Sequence, residues 1–157
     1  LTAYQKVLWV LARVGRITEP GVADERVFDL LLSFVTTMND LAKKEELEKS
    51  AFVAECFLLK LYAALGYTLQ LTSCLSTGEK LAPSTRYWFC PSDGGIATGA
   101  MAVRYPGAFA VSQETIVLLR LILTNSLKGL LKVQTTANEA RNIQLIGERF
   151  YQATIEH

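Results

Sequence analysis

Residues 52–78 read FVAECFLLKLYAALGYTLQLTSCLSTG, and the fold is decided there. The first half is apolar on nearly every side, interrupted only by Glu55 and Lys60. A helix that is hydrophobic all round belongs inside a bundle and not on its surface. The pattern predicts such a helix over about residues 48–65, stopped by Gly66, the residue type that takes the left-handed cap conformation most cheaply. Cys74, Thr77 and Gly78 then follow with the rhythm of a metal knuckle whose second cysteine is missing.

Outward from this stretch, most of the chain is helical in pattern. Tyr4, Val7, Leu8, Leu11 and Val14 recur at three- and four-residue spacing behind Thr2, a suitable N-cap. After a turn at Glu19-Pro20-Gly21, Asp24 caps a second helix with Val27, Leu30, Leu31, Phe34, Val35, Met38 and Leu41 on one face. The mixed charges of residues 43–49 read as a solvated linker or a helix start. Ser112 caps a helix through Leu123, and a short piece is expected over residues 127–132. Thr136 and Glu139 form a capping box before a last helix with Ile143, Ile146 and Phe150 on one face. Between residues 72 and 108 the texture changes to Pro, Gly and aromatics, with the β-prone run Arg86-Tyr87-Trp88-Phe89. One or two short strands in an irregular insertion are expected there. The fold class is mainly α, a helical bundle with a small β-containing insertion, in a single domain over residues 1–157.

Composition narrows the function. A chain of 157 residues, half of them hydrophobic, suits one globular domain. A formal net charge of +1 does not announce a nucleic-acid binder. Three cysteines, Cys56, Cys74 and Cys90, argue against a disulfide framework and for a reducing compartment. No signal peptide is visible, and no apolar run reaches the ~18 residues of a membrane span. The expectation is a soluble, cytoplasmic chain. It opens on Leu1, which suggests a fragment or a processed product.

Chemistry is sparse. Structural zinc needs four Cys or His ligands, usually as two close pairs. Thr77 stands three residues after Cys74, Cys90 has no close partner, and the one histidine is the terminal His157. No metal or other cofactor is expected. A Cys or Ser nucleophile also wants a neighbouring base, which this chain does not offer. Binding remains. Arg86, Trp88 and the aromatics beside them could stack bases and contact phosphates, or could pack one aromatic face onto the bundle. Arg104, Lys128, Lys132, Arg141 and Arg149 could line a basic face, or be ordinary solvated charges.

The order of features resembles the C-terminal helical part of the bacterial DNA repair protein RecO. Residues 57–67, FLLKLYAALGY, are similar to that family's F-E-L-[RK]-L-L-x-x-L-G-Y helix. A C-x-x-C-G knuckle, an aromatic strand, a Gly-Gly turn and often a second C-x-x-C follow in the family. Here Cys74, Gly78 and Gly94-Gly95 match, Thr77 replaces the second cysteine, and Ala97 or Thr98 and Ala100 or Met101 stand at the second pair. Cys74 is thus a vestigial knuckle position, its loop held by Pro, Gly and aromatic packing instead of zinc. Residues 111–120 and 153–157 are also similar to the family's next helix and tail.

The resemblance implies a recombination mediator that anneals single strands and, with RecR, helps load RecA onto DNA coated by single-strand-binding protein (SSB). It implies an N-terminal OB-fold, absent from this chain, as the main single-stranded DNA contact. The helical part would take the acidic, phenylalanine-ended SSB tail, with Phe57, Lys60 and Leu61 as candidate contacts. Glu55 departs from the family there, since basic residues are common nearby. Accessory DNA contacts would fall to Arg86, Trp88, Arg104, Lys128, Lys132 and Arg141. The activity expected is non-enzymatic. The alternatives are a helical adaptor or scaffold without a DNA role and, more remotely, an enzyme using Cys90.

Overall fold

A computed structural model describes residues 2–83 and 86–156; Leu1 and His157, both singled out in the sequence, lie outside the described residues. Helix α3 (Ser50–Ala64) forms the centre, entered through a 3₁₀ turn at Leu47–Lys49. Ten of its fifteen residues are buried, on every side of the helix. The helices α1 (Ala3–Ile17), α2 (Glu25–Lys43), α4 (Gln113–Thr124), α5 (Leu127–Leu130) and α6 (Ala137–Phe150) all pack against it. Its end is set as the sequence predicts: Tyr67 N–H bonds Tyr62 O at 2.9 Å around Gly66, whose φ is +98°. The caps at Thr2, Asp24, Ser112 and Thr136 all form, with the Thr136–Glu139 box closed in both directions.

The insertion is more ordered than expected. Four strands form one sheet in the order β1-β3-β2-β4: β1 (Gln70–Cys74), β2 (Tyr87–Cys90), β3 (Gly95–Thr98) and β4 (Phe109–Val111). It begins and ends outside residues 72–108. β1 and β3 run parallel, whereas β2 is antiparallel to both β3 and β4. Three of these strands, of three to five residues, are too short to announce themselves, and neighbours distant in sequence create them. The Gly-Gly turn has a steric reason. A Cβ on Gly94, at φ +62°, would stand 2.9 Å from the Phe150 ring, and one on Gly95 would stand 2.6 Å from Leu75 Cδ2. The chain beyond α6 winds into a π-turn at Tyr151–Ile155, where Thr154 Oγ1 donates to Pro91 O at 3.1 Å.

Helix α1 follows its pattern only in part, and α2 departs from its own at Val35 alone. On α1 the apolar residues Tyr4, Leu8 and Leu11 point outward, while Lys6 and Arg13 are buried beside Val10 and Val14. Arg13 is held on all sides: its guanidinium donates to Tyr62 Oη at 3.1 Å and Glu148 Oε2 at 3.4 Å. It also lies over the Tyr151 and Trp9 rings at 3.9 and 4.5 Å. On α2 the core takes Phe34, Thr37, Met38 and Leu41, leaving Val35 exposed.

Glu55 is the one acid of α3, and it is not solvated. It is 6 % exposed, Oε1 has no hydrogen-bond partner, and Oε2 would lie 3.4 Å from a Cβ on Gly147 of α6. Burial raises its pKa to about 7; Lys6 and Arg13 oppose the rise, and Glu148 adds to it. The folded protein therefore holds a proton that the unfolded chain, with an ordinary Glu pKa, releases. Stability contributed by this site is complete below about pH 4.5, falls as pH rises, and is lost above about pH 7. Glu55→Gln is expected to be more stable than the parent at pH 8, by about 1–3 kcal/mol. Urea unfolding should show the two converging at pH 4.5; a larger gap in acid than in alkali would refute the assignment.

Candidate functional site

The knuckle loop is tied together by hydrogen bonds. Cys74 N–H bonds Glu79 O, and Gly78 N–H bonds Cys74 O, each at 2.8 Å. Thr77, at the family's second cysteine position, accepts the Glu79 N–H on Oγ1 at 3.2 Å. Thr98, in the second pair's region, donates from Oγ1 to Cys74 Sγ at 3.5 Å. Ser76 and Tyr105 join their hydroxyls at 2.9 Å. Hydroxyl hydrogen bonds thus help to hold the loop that the sequence assigns to Pro, Gly and aromatic packing. Among the described residues no group of three or more His, Cys, Asp or Glu is placed to hold a metal. One sulfur meeting a single threonine hydroxyl does not fit zinc, which takes four Cys or His ligands, usually as two close pairs.

The three thiols differ. Burial opposes ionisation of Cys74, but the Thr98 hydroxyl and the N–H groups of Thr77, Ser76 and Thr98 outweigh it and bring the thiol down to about 6. Burial, then Asp93, pushes Cys90 up to about 11, and burial also raises Cys56.

The candidate nucleic-acid residues fall into two groups. Trp88 is half-buried on the sheet face opposite Tyr87 and Phe89, between its neighbours Ala97 and Ala110. Tyr87 and Phe89 go into the core, so the aromatic run splits as an alternating strand must. Arg86 is exposed at the start of β2, and Arg104 is exposed at the end of a 3₁₀ segment, Gly99–Arg104, which packs on β2 and β3. Lys128 lies on α5, which packs on α2, α3 and α4, with Lys132 just beyond it; Arg141 and Arg149 are on α6. All four are exposed. Arg86, Trp88 and Arg104 therefore share the sheet region, and the other cations belong to the helical region.

The expected tail contacts lie elsewhere than on a surface. Phe57 and Leu61 are both 0 % exposed. Phe57 stacks on Phe34 with ring centroids 4.7 Å apart. An apolar tail could reach them only by opening the core. Lys60 is half-buried, and its ammonium donates to Ile122 O at 3.0 Å and to Asn125 O, closing the C-terminal end of α4. The correction has a simple cause: α3 is the centre of the bundle, so both of its faces are inside.

Arg120 was missed. It donates from Nε and Nη2 to Leu71 O at 3.0 and 2.6 Å, tying α4 to β1. It also walls a cleft of about 180 Å³ with Leu81, Pro83, Tyr87, Gln113 and Ile116. A signal was available, since Arg120 is the one charge inside the apolar run TIVLLRLILT, just as Glu55 and Lys60 are on α3.

Of the three cysteines only Cys74 should be ionised at pH 7. Thiolate absorbance near 240 nm is expected to appear with a midpoint near pH 6 and to vanish in Cys74→Ser; no titration below pH 8 would contradict the hydrogen-bonded thiolate.

A comparison with protein families matches residues 3–157 to the one described as Recombination protein O C terminal. No curated protein and no solved structure matches the chain. The match spans nearly the whole sequence, and the mainly α fold with its small sheet accords with it. The family's name places its members in recombination. The chain belongs to the Recombination protein O C-terminal family.

Proposed function

We propose that this chain is the helical, non-enzymatic part of a recombination mediator in DNA repair. It would bind partners and act beside an OB-fold that makes the main contact with single-stranded DNA. The observation that carries this reading is the family match over residues 3–157. In the same reading the chain works with RecR and with the SSB tail in loading RecA. The alternative of an enzyme using Cys90 is disfavoured: its thiol is buried with its pKa raised, and the described residues include no imidazole to activate it.

An acidic tail ending in phenylalanine needs an apolar pocket with a cation at its wall. The cleft beside Arg120 offers a cation and a small apolar area, with half-buried Leu81 at its wall and the buried Tyr87 and Ile116 at its floor. Among the described residues no carboxylate pairs with the Arg120 guanidinium. Gln113 adds the first turn of α4, whose amides favour an anion, although Glu114 in the same turn offsets part of that. DNA contact by this part alone would be accessory, through Arg86, Trp88 and Arg104 on one side and Lys128, Lys132 and Arg141 on the other. A net charge of +1 makes that contact weak and its salt dependence shallow.

Fluorescence anisotropy with a labelled SSB-tail peptide tests the reading. The peptide should bind, and removal of its terminal phenylalanine should abolish binding. Gln113→Glu, which suits a helix N-terminus and leaves folding intact, should weaken binding about tenfold. No binding of the peptide would count against the partner role. Binding indifferent to Gln113→Glu would place the tail elsewhere.

A further inference from the structure

A second concave surface carries the opposite charge. The C-terminal turn of α1, the loop after it and the first turns of α2 enclose an open groove of about 870 Å³. Ile17, Val27, Leu31 and Leu65, all half-buried, line it, and Val22 and Phe28 stand largely in solvent at 63 % and 65 % exposure. Phe28 continues into Leu32 and Val35 at steps of four and three, so α2 turns one apolar stripe outward while Phe34, Met38 and Leu41 fill the core. An exposed, ordered apolar stripe beside a concavity marks an interaction site more often than an accident of composition.

Charge says what fits. Glu19, Asp24, Glu25 and Asp29 line the groove, and no Lys or Arg does. Asp24 is occupied: it caps α2 and meets Arg26 at 3.5 Å. Glu19, Glu25 and Asp29 have no ion pair among the described residues. The positive end of α2 could attract an anion, but Asp24 and Glu25 already sit on it. A second copy docking groove to groove would oppose acid to acid. A basic partner gains on both counts, since its cations meet three unpaired carboxylates and its apolar face covers Phe28 and Val22.

The geometry points to a docking groove for a basic, amphipathic protein helix, laid along the outer face of α2 with apolar anchors between Val22 and Phe28. This surface is distinct from the Arg120 cleft and does not depend on the SSB reading. The chain would then hold two partners of opposite charge on separate faces.

Two designed amphipathic peptides test it, one of leucine and lysine and one of leucine and glutamate, labelled and titrated against the intact chain. The lysine peptide should bind and the glutamate peptide should not. Phe28→Ser removes a solvent-exposed anchor without touching the core and should weaken binding about tenfold. The double substitution Glu25→Lys with Asp29→Lys should weaken it about tenfold or more and remove its salt dependence. Tyr4→Ser, which removes an exposed apolar group outside the groove, should leave it unchanged. Equal binding to all three altered chains, no binding of the lysine peptide, or preference for the glutamate peptide would overturn the proposal. So would sedimentation showing a dimer of the chain that Phe28→Ser dissociates, since the groove would then belong to a second copy.

Discussion

Everything in this fold follows from burying α3 on all sides. With most of the helix out of water, its buried polar groups must find partners inside the protein or go without. Lys60 finds two backbone carbonyls at the end of α4, and Tyr62 accepts from Arg13. Glu55 finds none for Oε1, and its proton affinity rises in consequence. The helices around α3 are arranged by the same demand. α1 turns Arg13 inward because its guanidinium can be shared among Tyr62, Glu148 and two aromatic rings. Tyr4, Leu8 and Leu11 are left outside, while Val10 and Val14 stay in the core.

That constraint also redistributes function. A residue can match a family's binding helix and still be unavailable, as Phe57 and Leu61 are. Four of the cations, Lys6, Arg13, Lys60 and Arg120, are wholly or partly taken up by internal contacts with rings, hydroxyls and carbonyls. The cationic surface open to a nucleic acid is smaller than a count of sixteen Lys and Arg suggests. What remains exposed is divided by the fold, with Arg86 and Arg104 beside the sheet and Lys128, Lys132 and Arg141 among the helices. The acidic groove on α2 belongs to neither group.

Much of the architecture was legible in residues alone, because helix ends and an all-round apolar helix are local signals. Thr2, Asp24, Ser112 and Thr136 cap where their positions predict, and Gly66 ends α3. The sheet was only partly legible. β3, Gly95–Thr98, is a strand because β1 and β2 lie on either side of it, a long-range fact that four residues cannot carry. Helix orientation was the other gap. Periodicity finds apolar stripes on α1 and α2 but does not say which stripe faces inward when two are present. Lone charges in apolar runs were the unused clue, since Glu55, Lys60 and Arg120 all point to internal partners or their absence. The knuckle was legible as a loss: Thr77 and Thr98 now supply hydroxyls to its hydrogen-bond network.

The central claim is that α3 is the structural core and that binding happens on what surrounds it. Native-state amide hydrogen exchange of α3 tests it most directly. The account predicts that residues 54–62 exchange only through global unfolding, with the highest protection in the chain and no change when an acidic peptide is added. Exchange of these amides faster than those of α1 or α6, or a selective change at Phe57 and Leu61 on adding the peptide, would contradict it.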